Sequence, residues 1–348
     1  MTTQTIQVST AAGLMSALAT ATGGETIQLA AGNYGGVYLS QYNFAQKVNI
    51  VGGTFSSIQV VSSNGLSFEG TTVNFVPDAT STSNSQGVRV YLSQNINFNN
   101  ATLVGGLSVN GVDPSAAYGD ATGNVLGYPV GKGINFDNSS NCSITNSDIS
   151  MFAKGVTITG GSNFLVDNND IHDLRTTPIS GSVTSNLTIS NNHTWDSQPW
   201  NFGGSGDHGD RIHIWTSGTA ISGLVIANNY LDQGAGEPML GIYLDDNGTG
   251  KGFTNAVITG NTLIDGMGQG VLLENVTGTV SNNTLIWSGY GTQANNSPRF
   301  DINAGSDHIN FTDNTGNVSI SAGSTYLNFV RQNGMIAEDA AMTSAQRD

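Results

Sequence analysis

Short stretches in which apolar and polar residues alternate recur along this chain, and such alternation predicts half-buried β-strands. From about residue 133 each stretch carries apolar side chains on one face. The stretches are Gly133-Ile-Asn-Phe136, Gly155-Val-Thr-Ile158, Arg211-Ile-His-Ile214, Gly241-Ile-Tyr-Leu244, Gly270-Val-Leu-Leu273 and Arg299-Phe-Asp-Ile302. A second short apolar stretch follows each of them and usually ends in Asn-Asn or Gly-Asn. The pattern therefore predicts a repeat in which every unit contributes several short strands.

The asparagines near the ends of the second stretches set the length of the repeat. They are Asn146, Asn168, Asn191, Asn228, Asn261 and Asn282, with steps of 22, 23, 37, 33 and 21 residues. A coil of about 22 residues with two loop insertions accounts for all the steps. Asparagine tolerates the left-handed conformation of a sharp corner, and stacked amides can hydrogen-bond from coil to coil. These features favour a β-solenoid over a β-sandwich, which would show hairpin turns and no asparagine ladder.

The beginning of the chain supports the same fold. Residues 9–22 predict a short helix with a Ser or Thr N-cap, and the open end of a solenoid needs such a cap. Thr26-Ile-Gln-Leu29, followed by Gly32 and Tyr34, has the form T-I-x-L-x-x-G-x-Y. This opening resembles right-handed parallel β-helix proteins of the pectate-lyase-like superfamily, and the resemblance extends over residues 9–330.

The resemblance implies an all-β protein, a single-stranded right-handed parallel β-helix with an N-terminal capping helix. We expect one domain over residues 1–348. Its parts are a cap helix at 9–22, stacked coils at 25–330 and a C-terminal helix or tail at 334–348.

Composition and charge narrow the possible partners. The 348 residues include 46 glycines, 25 acidic residues and only 10 lysines and arginines, for a formal net charge of -15. Nucleic-acid-binding and membrane-surface proteins need clustered cations, so we expect neither partner. No apolar run reaches the length of a membrane span, and 37% hydrophobic residues are enough for a folded core. We therefore expect a monomer that does not insert into membranes.

The densest group of polar side chains lies in the seven residues 207–213. It contains Asp207, His208, Asp210, Arg211 and His213, although the whole chain has only 5 histidines. Together with Ile212, Trp215 and Thr216, this segment resembles the D-H-x-D-x-I-x-x-W-T stretch of bacterial secreted polysaccharide-modifying β-helix proteins, including relatives of alginate-type lyases and epimerases. The resemblance implies activity on a polysaccharide.

Strand alternation predicts which side chains lie near this group. With Ile212 and Ile214 inward, the side chains of Arg211, His213 and Trp215 face outward. In the same register, Tyr243 and Asp245 face outward one coil later and Glu274 on the coil after that. Neighbouring strands are about 4.8 Å apart, so these side chains form one external patch. We expect substrate contacts there from Lys154, Arg175, Trp195, Trp200, Trp215, Asp245, Lys251 and Glu274.

A uronic-acid polymer is the substrate for which these residue types are best suited. Cations grouped on an acidic protein attract an anionic chain, and indole rings bind sugar rings. In β-elimination a cation neutralises the C6 carboxylate, a base removes the C5 proton and an acid protonates the leaving O4. We assign Arg211 to the carboxylate, His208 or His213 to the base and Tyr243 to the acid. Asp210 would orient a histidine, with Lys154 and Arg175 as second-choice cations.

Three other functions remain open. A glycoside hydrolase could use paired carboxylates from Asp210, Asp245, Asp246 or Glu274, although the N-T-D and G-H-G motifs of polygalacturonase-like enzymes are missing. A mannuronan-type C5-epimerase shares the first step, but its Tyr-Gly-x-Asp-Pro-His motif is absent. A tailspike-like or adhesin solenoid would only bind glycans.

No cofactor is required by these patterns, but calcium is a candidate because hard oxygen ligands are plentiful. Candidate calcium ligands are Asp207 and Asp246, with Asp210 and Asp245 beside them, although no EF-hand loop or G-G-x-G-x-D repeat is present. The N-terminus lacks the pattern of a signal peptide. A secreted, extracellular protein is nevertheless expected, exported by a one-step bacterial route.

Overall fold

The computed structural model describes residues 4–108, 118–119, 125–199, 207, 209–303, 305–321 and 328–329. Within these ranges the chain winds through three long parallel sheets, and a typical coil contributes one strand to each. This architecture is a parallel β-helix and confirms the fold class predicted from the repeat. No helix among the described residues is long and apolar enough to cross a membrane.

The three long sheets are named A, B and C. In chain order, sheet A contains Thr5–Val8, Thr26–Leu29, Asn43–Val51, Asn64–Glu69, Gln94–Asn99, Ser140–Thr145, Ser162–Asp167, Ser185–Ser190, Ile221–Ala227, Phe253–Thr259, Val276–Ser281, Ile309–Thr312 and Asn328–Phe329. Sheet B contains Thr54–Phe55, Thr72–Asn74, Thr102–Val104, Asp148–Ser150, Asp170–His172, His193–Trp195, Tyr230–Asp232, Thr262–Asp265 and Thr284–Trp287. Sheet C contains Gly36–Ser40, Ser57–Val61, Gln86–Tyr91, Lys132–Asp137, Lys154–Thr159, Ile179–Ser182, Asp210–Trp215, Leu240–Asp245, Gln269–Leu273, Arg299–Ile302 and Asn317–Ile320.

Two further elements lie outside the coils. Leu107–Ser108, Tyr118–Gly119 and Val125–Pro129 form a small antiparallel sheet, and Gln293–Asn296 is a one-turn helix. The core runs along the helix axis, where inward side chains of the three sheets stack coil upon coil. Phe68 and Phe98, for example, stack with ring centroids 4.4 Å apart.

The capping helix spans Ala11–Thr20, inside the predicted range of 9–22. Thr10 is its N-cap, since its side-chain oxygen accepts a hydrogen bond from the Gly13 amide at 3.0 Å. Leu14 and Leu18 are buried against the first coils. The predicted helix or tail at 334–348 lies outside the described residues.

The predicted asparagine ladder exists, but one residue makes the sharp corner and the next residue forms the hydrogen bonds between coils. Asn228 is exposed and has a φ of 57°, so it makes the left-handed corner. Asn229, the next residue, is buried, and its amide bonds those of Asn192 and Asn261 on the neighbouring coils, each at 2.9 Å. The ladder of buried amides therefore follows the second residue of each Asn-Asn or Gly-Asn pair and of Asp313-Asn314, while the exposed Asn146 and Asn168 also bond each other at 2.7 Å. Its members are Asn169, Asn192, Asn229, Asn261, Asn283 and Asn314.

Candidate functional site

The outward side of sheet C, which we call the C face, brings the predicted polar residues together. Parallel pairing places His213 beside Tyr243, and Trp215 beside Asp245. Tyr243 pairs in turn with Leu272 on the next strand, and Glu274 follows that strand. The alternation in the sequence therefore positioned these residues correctly, because parallel strands in register stack equivalent side chains on one face.

His213 lies at the centre of this group. Its Nδ1 is 3.2 Å from Asp210 Oδ2, and its Nε2 is 3.4 Å from Asp245 Oδ2. The imidazole stacks on the Tyr243 ring with centroids 4.8 Å apart and planes 9° apart. Trp215 approaches from the side at 5.3 Å. The ring is thus fixed in orientation by two carboxylates and by a stacked aromatic neighbour.

Tyr243 and Glu274 lie on the two coils after Asp210–Trp215, and a hydrogen bond joins their side chains. Burial and the negative charges of Glu274 and Asp245 raise the pKa of the Tyr243 hydroxyl well above its ordinary value. Burial also raises the pKa of Glu274, although a hydrogen bond from Tyr243 opposes the shift. The phenol therefore stays protonated over the whole physiological range and can act as a proton donor.

Two lysines occupy the other end of the candidate site on the C face, on earlier coils. Lys132 and Lys154 are in register on adjacent strands and are only partly exposed. Burial lowers the pKa of both ammonium groups, and for Lys132 the positive charge of Lys154 adds to the effect. The Asp210 and Asp207 charges act in the opposite direction on Lys154. Neither lysine forms a salt bridge with any residue that the structure describes.

The floor between these two ends is formed by small polar side chains for which the sequence suggested no role. Thr157 and Ser180 are in register with His213 and are buried although they face outward. Thr157 donates a hydrogen bond to Asn135 Oδ1 at 2.6 Å. Their equivalent position in the repeat is the signal that could have identified them.

Arg175 and Asp207 form an ion pair beside the C face. Arg175 Nε and Nη2 donate to Asp207 Oδ2 and Oδ1 at 2.6 and 3.0 Å. The guanidinium carbon also lies 5.7 Å from the Tyr128 ring centroid. Since both oxygens of Asp207 bind Arg175, the expectation that Asp207 serves as a calcium ligand is not supported.

The prediction that Arg211 faces outward and binds a substrate carboxylate is wrong. Its side chain is fully buried, and Nε and Nη2 both donate to the equally buried Asp265 Oδ2 at 3.1 and 3.0 Å. On the next coil the equivalent residue is Gly241, where a Cβ atom would meet the inward-facing Leu263. This position therefore points into the coil, because the strict alternation begins only at Ile212.

Trp195 also lies elsewhere than expected. It belongs to sheet B, where it stacks on His172 with centroids 4.5 Å apart and donates a hydrogen bond to Asp170 at 2.7 Å. A substrate on the C face would therefore not contact its indole ring. His208 and Trp200, the other residues predicted in this region, lie outside the described residues. Lys251 is exposed on the turn after Asp246.

Among the described residues of this site, three carboxylates could together bind a hard cation. Ligand atoms of Asp245, Asp246 and Glu274 all lie within 4.8 Å of one another. Such a set of carboxylates suits calcium, which prefers oxygen ligands. Asp245 and Asp246 each also accept a hydrogen bond from a backbone amide two residues ahead, which stabilises the turn.

Comparison with known proteins agrees with the fold. Residues 132–316 match the sequence model of the family described as "Right handed beta helix region". No curated protein matches the chain significantly.

Solved structures of similar fold come from several kinds of protein. The alginate lyase from Paenibacillus sp. strain FPU-7 is 14% identical, with a TM-score of 0.48 over 95% of this chain and 97% of that one. PfbA, a surface adhesin of Streptococcus pneumoniae, is 11% identical, with a TM-score of 0.47 over 88% and 80%. The Dettilon tailspike protein is 13% identical, with a TM-score of 0.50 over 91% and 64%.

These likenesses concern the fold. The family match covers more than half of the chain, and the stacked parallel sheets have the corresponding architecture. The chain belongs to the right-handed β-helix family.

Proposed function

We propose that the protein is a polysaccharide lyase that cleaves an anionic, uronic-acid-containing polysaccharide by β-elimination on the C face. The observation that carries the proposal is the grouping of two lysines without salt bridges, an oriented histidine and a protonated tyrosine on one face. Each group matches one requirement of the reaction.

Lys154, with Lys132 beside it, would neutralise the C6 carboxylate of the substrate. These two lysines take the role that the sequence suggested for Arg211, whose guanidinium is buried against Asp265. Removing the negative charge of the carboxylate acidifies the C5 proton, because the carbanion that forms at C5 delocalises into the carboxyl group. Partial burial of the lysines strengthens this electrostatic effect.

His213 would remove the C5 proton through Nε2 once the substrate replaces Asp245 Oδ2, which lies 3.4 Å away, as the partner of that nitrogen. Asp210 holds Nδ1 at 3.2 Å and orients the ring. The electron pair of the C5–H bond forms the C4–C5 double bond, and the C4–O4 bond breaks. The Tyr243 hydroxyl gives its proton to the departing O4 oxygen. Its raised pKa keeps the hydroxyl protonated at neutral pH, so the proton is present when the alkoxide develops.

The test is incubation with uronic-acid-containing polysaccharides while the ultraviolet absorbance of the unsaturated product is recorded. We expect absorbance to rise with the wild type and to be lost in Tyr243→Phe. Tyr230→Phe is the matched control, since this exposed tyrosine lies on sheet B. New reducing ends without the absorbance would contradict the lyase.

A glycoside hydrolase is the second candidate, because Asp245 and Glu274 bring two carboxyl groups together on adjacent coils. Their oxygen atoms lie within 4.8 Å of each other, nearer to the separation of about 5 Å typical of retaining enzymes than to the wider one of inverting enzymes. The raised pKa of Glu274 suits a general acid. The same incubation separates the two reactions by their products.

Two further functions have distinct outcomes in this assay. A C5-epimerase would change the ratio of the two uronate epimers without shortening the polymer. A glycan-binding protein would retain the polymer unchanged. In each case the proposed substrate is a polymer, and we propose that the protein acts outside the cell.

A further inference from the structure

Charge is distributed unevenly along the C face, from one end of the candidate site to the other. Lys132 and Lys154 lie on coils that precede His213 in the stack. Asp245, Asp246 and Glu274 lie on or next to the two coils that follow it. Carboxylates also lie near the lysines, where Asp210 and Asp207 act on Lys154 and Asp137 acts on Lys132. Asp207 and Asp137 are paired with arginines and Asp210 contacts His213, so the lysine end is the more cationic of the two.

Ion pairs do not cancel the difference in charge between the two ends of the site. Arg175 is paired with Asp207, and Arg299 with Asp301 Oδ1 at 2.7 Å, so each of these cations is matched by its own carboxylate. Lys251 is exposed on the turn that follows Asp246, and one lysine does not balance three carboxylates. The acidic end therefore keeps a surplus of negative charge.

The two ends are far enough apart for different sugar units of one bound polysaccharide to meet different charges. The strands of Lys154 and Asp245 are three steps apart in the order of sheet C, which corresponds to about 14 Å at about 4.8 Å per step. A polysaccharide lying along the helix axis would cross His213 between a cationic and an anionic region. Partial burial limits the screening of these charges by salt.

From this distribution we infer that the substrate is a heteropolymer in which uronic acid alternates with a neutral or amino sugar. The uronate would lie at Lys132 and Lys154, and the sugar that leaves with O4 would lie over Tyr243, Asp245 and Glu274. A homopolymeric polyuronate would place a carboxylate at both ends, and the acidic end would repel it. This substrate assignment rests on the proposed function, but the binding preference can be measured without cleavage.

The test is isothermal titration calorimetry with the full chain carrying Tyr243→Phe. The probes are an oligosaccharide of alternating uronic acid and N-acetylhexosamine, and a homo-oligouronate of equal length, each with a chelator present and with calcium added. We expect the alternating oligosaccharide to bind about tenfold more tightly in both conditions. Preferential binding without cleavage by the wild type would refute the lyase and leave this inference standing.

A pair of matched variants tests the source of the preference. Asp246 and Asp232 are both half-buried, and each accepts a hydrogen bond from the backbone amide two residues ahead, but Asp232 lies on sheet B. Asp246→Asn should tighten binding of the homo-oligouronate several-fold, because it removes one repulsive charge. Asp232→Asn should leave the binding of both probes unchanged.

Several results would overturn the inference. One is equal or tighter binding of the homo-oligouronate by the protein with unmodified Asp246. Another is strong homo-oligouronate binding only in calcium, which would show that the acidic group holds an ion that bridges to substrate. The absence of binding to either probe, or an equal effect of the two aspartate variants, would also refute it.

Discussion

Replacing Arg211 separates a structural role from a catalytic one. The guanidinium and the Asp265 carboxylate are both fully buried, and two hydrogen bonds of 3.1 and 3.0 Å join them. Arg211→Met keeps most of the apolar volume but leaves the carboxylate without its cation. The remaining partners of Asp265 are backbone amides, including that of Met239 at 3.1 Å.

The expected loss of stability is large. Removing one partner of a buried ion pair costs about 3–5 kcal/mol, because an uncompensated charge remains in a low-dielectric interior. With an unfolding entropy of about 2 cal/mol/K per residue over 348 residues, this corresponds to a decrease of about 5 °C in Tm. Arg89→Met is the control, since Arg89 is partly exposed and its pair with Asp137 is 3.4 Å long. It should cost less than about 1 kcal/mol.

The pH dependence gives a second readout. Burial raises the pKa of the Asp265 carboxyl, and the Arg211 guanidinium opposes that shift. Without Arg211 the folded-state pKa rises further above the unfolded value. As the pH falls, the folded variant takes up a proton on Asp265 at a higher pH than the unfolded variant does. The loss of stability relative to the wild type should therefore become smaller between about pH 7 and about pH 5. Calorimetric melting of wild type and variant at both pH values measures this.

The opposite result is equally clear. If Arg211→Met melts at the wild-type temperature and loses all activity, Arg211 binds substrate and the buried pair is not its role. If the loss of stability is the same at both pH values, the charge of the Asp265 carboxylate is not its cause.

Three further predictions concern the ladder, the lysines and the cap. Asn229→Leu removes four hydrogen bonds of 2.9–3.0 Å, so it should lower the free energy of unfolding, measured by chemical denaturation, by about 3–4 kcal/mol. Asn228→Gly at the exposed left-handed corner should lower it little, since glycine adopts this conformation readily. Equal losses would contradict the assignment of the ladder to Asn229 and of the corner to Asn228. Lys154→Gln should lower kcat/KM on the proposed substrate about 100-fold, because it removes the neutralising cation. Lys47→Gln, on sheet A, is the control and should leave kcat/KM unchanged. Retained activity in Lys154→Gln would exclude Lys154 as that cation. Hydrogen bonds from Thr22 and Gly23 lower the pKa of Glu25 to about 2 in the folded protein. The ionised Glu25 should therefore stabilise the fold fully above its unfolded-state pKa near 4.5, and this contribution should be lost as the pH falls through about 2. Comparing the melting of Glu25→Gln with the wild type across that range tests this, and a constant difference would refute it.

Local rules explain where sequence reasoning succeeded. The helix at Ala11–Thr20 has an N-cap and apolar side chains at helical spacing, and both are properties of neighbouring residues. His213, Tyr243 and Asp245 occupy equivalent positions in successive units, so strand alternation alone placed them on one face. The ladder was less exact, because spacing cannot tell which member of an Asn-Asn pair turns the corner and which is buried.

The errors come from contacts between residues far apart in the chain. Arg211 lies 54 residues before Asp265, and only the closed coil shows that this carboxylate is inside. Trp195 was expected to contact substrate on the same external patch, but a coil has several faces and the strand of Trp195 belongs to sheet B.

The sequence by itself determined the repeat, the fold class and the face on which His213, Tyr243, Asp245 and Glu274 lie, because a stacked coil converts periodic positions into columns of side chains. Only the tertiary structure decided which charges are available on that face. Availability depends on burial and on partners from distant coils, as the pairing of Arg211 with Asp265, and of Arg175 with Asp207, shows. Lys132 and Lys154 are half-buried and form no salt bridge with a described carboxylate, and for this reason they carry the proposed role in substrate binding.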